Sequence, residues 1–264
     1  MISTTAIDPS VLLIFSALIG LILGSFISML SWRLPRLLME EEPNLLKSIS
    51  VGGSKCPHCD ERLPWYRLIP LFSWLASRGR CHHCKTKISV RYPLIELATS
   101  VTTVLIVWLY GLTPMGFAAL IFSWVLITIS IIDIEHQLIL DVLSLPLLWL
   151  GLLINTQSLF VPLNEAVWGA AVGYLLLWIL FHSFKLLTGK EGMGYGDFKL
   201  LAALGAWFGV AALPQIILIA SVTSLVIGFG GVFLKKRAYD NPLAFGPFLA
   251  LGGWVTLIAG SQLI

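Results

Sequence analysis

The sequence predicts an all-α polytopic membrane protein of about eight transmembrane helices with a small zinc-knuckle insertion, and three observations carry that expectation. Of the 264 residues, 57% are hydrophobic and only 12% are charged, about half the charge of a soluble domain. Apolar runs long enough to cross the hydrocarbon at ~1.5 Å per helical residue recur along nearly the whole chain. The one long hydrophilic stretch, residues 33–92, holds all four cysteines and 11 of the 17 Lys and Arg.

The expected spans are 11–32, 93–110, 115–132, 139–156, 165–186, 198–212, 214–234 and 244–263. The sixth is short and contains Gly205 and Gly209, so a tilted, broken or partial crossing is expected there. The first is read as a retained helix, because residues 1–10 contain no basic residue and the apolar run exceeds a signal peptide's core. With the amino terminus outside, the inner segments are 33–92, 133–138, 187–197 and 235–243. All 17 Lys and Arg then fall on the inner side or within a turn of it, Lys185 and Lys199 at helix ends. This asymmetry implies an even number of crossings with both termini outside, in the periplasm if the membrane is a bacterial inner membrane. The net charge of +3 thus reflects membrane topology and excludes nucleic acid as a partner.

Three regions follow: a first transmembrane helix over 1–32, a cytoplasmic zinc-binding domain over 33–92, and a transmembrane helical bundle over 93–264. The bundle shows no fixed-period repeat and no Gly/Ser linker. Gly169, Ala170 and Gly173, and again Gly228, Gly230 and Gly231, are expected to serve close helix contact. The inserted domain has few core candidates, Trp65, Leu68, Ile69, Phe72 and Trp74, so it needs a staple. Cys56, Cys59, Cys81 and Cys84 supply one: CPHC and CHHC separated by 21 residues match two-knuckle zinc spacing. Each turn brings two thiolates to one side of a loop, and a cytoplasmic setting disfavours the disulfide alternative. His58, His82 and His83 flank the four thiolates.

Asp133 and Asp197 lie at the cytoplasmic ends of apolar runs. An acid near hydrocarbon costs several kcal/mol or is neutralised, so it marks function or a partner. Two such acids form a dyad able to share one proton, one member activating water and the other polarising a peptide carbonyl. Gly192, Gly194 and Gly196 precede Asp197 and leave backbone uncovered, which suits the approach of an extended peptide. The loop lacks the phosphate-cradling Walker pattern. Lys199 reads either as an interfacial anchor or as a positive charge that tunes Asp197. Asp141 is expected to cap the fourth span, Glu135 and His136 to lie in a solvated turn, and the run 40–42, Glu-Glu-Glu, to form a solvated face.

Three stretches resemble the bacterial type IV prepilin peptidases of the GxGD aspartyl class, which are also N-methyltransferases: GSFISMLSWRLP at 24–35, IDIEHQLILD at 132–141 and GKEGMGYGDFKLLAALGAW at 189–207, together with both cysteine knuckles. The resemblance implies that Asp133 and Asp197 are the catalytic pair. It further implies cleavage of the short basic leader of prepilins or type II secretion pseudopilins at the cytoplasmic face, commonly after a glycine. Methylation of the new amino terminus by S-adenosylmethionine would follow. Leu140 and Ser28 stand where the family often has proline and asparagine, and neither touches the dyad. Two rival readings are a proton-coupled transporter, which needs acids near mid-membrane, and a non-enzymatic zinc-knuckle adaptor, which leaves the GxGD loop without a purpose. Natural substrate and oligomeric state are left open by the sequence.

Overall fold

The computed structural model describes residues 8–40, 55–56, 58–190, 192–233 and 243–260, with the backbone alone for residues 65, 66 and 231–233. Among them it contains nine α-helices: α1 (Pro9–Met39), α2 (Phe72–Ala76), α3 (Arg91–Tyr110), α4 (Pro114–His136), α5 (Asp141–Asn155), α6 (Leu163–Thr188), α7 (Tyr195–Phe208), α8 (Leu213–Phe233) and α9 (Gly246–Ala259). The described residues form no strand, only two isolated antiparallel bridges. The protein is an all-helical membrane protein. Five helices are long and apolar enough to cross a bilayer: 9–39, 91–110, 114–136, 163–188 and 210–230. The other three expected spans correspond to α5, α7 and α9, of 15, 14 and 14 residues. At roughly 21–23 Å these fall short of a hydrocarbon core of about 30 Å.

The chain divides into two compact units, 1–120 and 121–264. In the first, α1 starts at Asp8, whose carboxylate accepts the Ser10 amide at 2.8 Å, with Pro9 in the first turn. It runs seven residues past the expected span end at 32, through Arg33, Pro35 and Arg36 to Met39. Hydropathy marks where hydrocarbon ends, whereas the helix persists until its backbone bonding ends, and Arg36 stacks 3.6 Å over Trp32. Gly20 and Gly24 bring α1 onto α3: a Cβ at either would lie 2.6 Å from the Cα of Ser100 or Glu96 respectively. The Ser100 hydroxyl donates to the Ala17 carbonyl at 2.9 Å across the same contact. This GxxxG face is absent from the sequence expectations. Arg91 adds a tie at the other end of the pair, donating to the Ser28 carbonyl at 3.2 Å and the Ser31 hydroxyl at 2.7 Å.

The inserted segment corrects one expectation. Leu68, Ile69 and Phe72 are 40%, 45% and 60% exposed and form no core; the side chain of Trp65 lies outside the described residues. So short a segment folds round its cysteine turns instead. Trp74 is half-buried, donates to the Ile88 carbonyl at 3.2 Å and packs on Gly79, whose φ of +65° admits no side chain easily. Buried Glu96 of α3 ties the segment down by accepting the Leu71 amide at 2.6 Å.

In the second unit α7 is the centre, with every residue from 200 to 208 buried. Gly169 and Gly205 meet backbone to backbone, so a methyl on either would overlap the other's carbonyl, and Gly173 sits over Leu201. The packing role expected for Gly169 and Gly173 is thus seen. Gly228 meets only Leu243 at 3.7 Å, and Gly230 has nothing within 4 Å. Gly228 and Gly230 therefore make no close helix contact among the described residues; the surroundings of Gly231 lie outside what the structure describes. Trp207 donates to the Leu147 carbonyl at 2.8 Å and its ring lies 4.7 Å from that of Phe122. Asn155 closes the end of α7, donating to the Ala206 and Trp207 carbonyls at 2.9 and 3.1 Å and accepting the Phe160 and Val161 amides. It thereby satisfies carbonyls that the helix end leaves open.

Candidate functional site

Asp133 lies in the last turn of α4 and Asp197 in the first turn of α7, within the same compact unit. Both are buried, at 5% and 7% exposure. The position of Asp197 follows from its sequence: Gly194 adopts an extended conformation at the N-cap, and the Asp197 amide returns to the Gly194 carbonyl at 3.3 Å. An acid in a first turn also favours the helix dipole. The Gly194 backbone borders the Asp197 carboxyl, Oδ2 lying 3.6 Å from a Cβ built on Gly194. Oδ1 of Asp197 is buried without a hydrogen-bond partner among the described residues. Oδ2 of Asp133 accepts the Gly246 amide at 2.8 Å.

The glycines of the loop do three different things. Gly194 is open, its nearest neighbour being Oδ2 of Asp197 at 3.6 Å from a built Cβ, so only here does the uncovered backbone expected from sequence border the acid. Gly192 faces the Phe184 ring, which would lie 3.1 Å from a Cβ built there. Gly196 is closed by the chain itself, since a Cβ there would fall 2.6 Å from that of Ile139. Peptide approach over Gly196 is thus blocked, and its lack of a side chain serves the seating of α7 on the 137–140 turn. Ile139 also lies 3.0 Å from a Cβ built on Gly246, so one side chain packs beside both glycines flanking the acids.

Lys199 contacts neither lipid-side polar groups nor Asp197 in any described bond: its ammonium donates to both carboxylate oxygens of Asp141 at 2.7 Å. This corrects the expected cap. Leu140 is the extended N-cap of α5, Asp141 makes no capping bond, and its carboxylate joins α5 to α7 instead. Glu135 is exposed and His136 half-exposed. Glu40 is exposed; Glu41 and Glu42 lie outside the described residues.

In the first unit the four cysteine sulfurs lie within 4.8 Å of one another, with Cys56 and Cys81 buried and Cys59 and Cys84 half-buried. The two turns share one geometry. The Cys56 amide bonds the Glu61 carbonyl and the Asp60 amide returns to Cys56; the Cys81 amide bonds Thr86 and the Lys85 amide returns to Cys81. Asp60 and Lys85 both take positive φ, 53° and 59°, and an antiparallel bridge closes each turn, 55 with 62 and 80 with 87. The Sγ atoms of Cys56 and Cys84 are 3.8 Å apart, the edge of a tetrahedron with metal–sulfur bonds of about 2.3 Å. The donor set therefore fits a tetrahedral, sulfur-preferring cation. The Thr86 hydroxyl, 3.2 Å from Cys84 Sγ, and its amide pull that thiol down to about 6. The Glu61 amide pulls Cys59 down, but burial and the other three thiols outweigh it and push it up to about 12. His58, His82 and His83 are exposed and outside the cluster.

Gly246 and Ile139 were missed by sequence reasoning. The Gly-Pro pair opening an apolar run was the available signal for Gly246 as a helix start, but nothing local ties it to an acid 113 residues away.

Comparison with known proteins follows the same division. Residues 18–110 match the family model described as Bacterial Peptidase A24 N-terminal domain, and residues 120–229, which include both aspartates, match Type IV leader peptidase family. Relatives named prepilin leader peptidase/N-methyltransferase include one from Stutzerimonas stutzeri, 43% identical, and one from Pseudomonas aeruginosa, 42% identical, each alignment covering 98% of this chain and 94% of the relative. A third, from Aeromonas hydrophila, is 44% identical over 93% of this chain and 90% of its own. No solved structure matches. With both family models matched in order along the chain and such relatives aligned over nearly its whole length, this protein belongs to the type IV leader peptidase family.

Proposed function

We propose that this protein cleaves the basic leader from type IV prepilins or type II secretion pseudopilins with Asp133 and Asp197, and then methylates the new amino terminus. The observation that carries the peptidase reading is the burial of two acids, from the end of α4 and the start of α7, brought to one side chain: Ile139 packs beside Gly196, which precedes Asp197, and beside Gly246, whose amide bonds Asp133. Like carboxylates so placed do not both ionise readily, so they share a proton. The ionised member takes a proton from water as its oxygen attacks the scissile carbonyl carbon, and the protonated member donates to the carbonyl oxygen. Collapse of the tetrahedral adduct breaks the C–N bond, with a proton passing to the leaving amine. Extended peptide reaches the pair beside Gly194.

S-adenosylmethionine supplies the methyl group. Zinc held by Cys56, Cys59, Cys81 and Cys84 staples a cytoplasmic domain over 33–92, between a first transmembrane helix over 1–32 and the catalytic bundle over 93–264. It supplies no catalytic chemistry. The protein sits in a bacterial inner membrane with both termini periplasmic and with dyad and zinc domain cytoplasmic, as the one-sided distribution of Lys and Arg favours. The transporter and adaptor readings are disfavoured by family membership.

The test is cleavage of a purified prepilin by detergent-solubilised wild type, Asp133→Asn and Asp197→Asn, with thermal melting as the fold check and methyl transfer followed on pre-cleaved pilin. Each variant is expected to melt as wild type, lose cleavage and retain methylation. Cleavage surviving in either folded variant overturns the two-aspartate mechanism.

A further inference from the structure

Among the described residues, Asp133 is held by a single backbone donor from a remote element. Gly246 opens α9, and of the first four residues of that helix Pro247 has no N–H, while the Phe248 and Leu249 amides both turn back to the Phe245 carbonyl. The Gly246 amide alone points away from its own helix, and it ends on Oδ2 of Asp133 at 2.8 Å in a buried setting. The space there is complete: a Cβ on Gly246 would sit 2.7 Å from that oxygen and 3.0 Å from Ile139 Cδ1. The other acid differs, since Oδ1 of buried Asp197 has no partner among the described residues. Both acids lie at a helix amino terminus, Asp133 facing that of α9 and Asp197 in the first turn of α7, so the difference between them is one of hydrogen bonding: an accepted amide favours the charged form of Asp133, whereas a buried oxygen without a donor opposes charge on Asp197. Residue 246 lies beyond the 120–229 stretch matched by the family model.

We propose that Gly246 is a positioning residue for peptide cleavage: its backbone N–H fixes the Asp133 carboxylate as the acceptor of the water proton, leaving Asp197 to donate to the scissile carbonyl. This rests on the two-aspartate reading above. Glycine is required because any side chain would displace the carboxylate, and the following proline spares the amide from competing with a second donor.

The experiment measures kcat and KM for prepilin cleavage by the full-length, solubilised protein in two variants. Gly246→Ala pushes the carboxylate aside. Exchange of the residue 246 amide for an ester, by incorporating glycolic acid, removes the N–H and adds no atom that needs space. For both, kcat is expected to fall by about tenfold to a hundredfold, the value of a hydrogen bond to a charged group, with KM changed less than about twofold because the prepilin contacts are untouched. Methyl transfer to pre-cleaved pilin reports an intact fold, and if Gly246→Ala loses that too, the ester variant alone decides. Wild-type kcat in the ester variant, or a loss confined to KM, overturns the positioning role. Asp133→Asn separates the two levels: if it still cleaves, the two-aspartate reading fails, and if it is inactive while the ester variant is normal, only the role of Gly246 fails.

Discussion

Asp141 and Lys199 illustrate how a bond of good geometry can matter little. Their contact is short, but Asp141 is 53% and Lys199 29% exposed, and exposed ion pairs contribute about 0–1 kcal/mol. Asp141→Asn is therefore expected to lower the thermal midpoint slightly and leave prepilin cleavage within a few fold of wild type; loss of cleavage would mean that the pair sets the register of α7 and hence of Asp197. Gly196 is the opposite case, an uncharged position with no freedom. Gly196→Ala is expected to reduce cleavage by about tenfold to a hundredfold through displacement of the adjacent acid, and Ile139→Gly in the same chain should recover part of it, because the new methyl would meet the Ile139 Cβ itself, which only glycine removes. A double-mutant cycle measures this, and additive losses would count against the contact.

At the scale of elements, the two cysteine turns carry the inserted segment in place of a core. Chelation or Cys81→Ser is expected to raise amide hydrogen exchange across 56–88 while exchange in α7 stays protected, since metal binding is part of folding the turns. Uniformly increased exchange would instead make the cluster a keystone of the whole chain. Acidification acts in the same direction as chelation, because thiols must lose protons to bind metal. The α1 and α3 pair depends on Gly20 and Gly24, where the backbones approach too closely for side chains. Gly24→Leu is expected to separate the pair and expose the otherwise buried Glu96, read as new labelling of that carboxyl by a water-soluble carbodiimide.

At the scale of the molecule, α7 is both the carrier of Asp197 and the most buried helix of its unit, so stability and site geometry share one element. Trp207→Ala removes a buried ring and its bond to Leu147, a loss of about 3–5 kcal/mol by analogy with other aromatic truncations; it should lower the thermal midpoint and cleavage together, whereas Asp197→Asn lowers cleavage alone. Single cysteines at Asn164 and Lys190, in a background lacking the native four, are expected to label from the periplasmic and cytoplasmic sides respectively; the reverse pattern would invert the proposed orientation. The sequence by itself determined the helical membrane class and the cysteine set, and it singled out the two acids. Those signals are local: apolar runs report burial in lipid, CxxC spacing reports a turn, and an acid beside hydrocarbon stands out by its cost. Only the tertiary structure decided that Lys199 serves Asp141, that Gly196 is filled by Ile139, that Gly20 and Gly24 seat α1 on α3, and that the Gly246 amide holds Asp133. Each of these joins residues distant in the chain, and in a helical bundle such pairings follow from which helix faces meet, which one sequence read along its length does not encode as a local pattern.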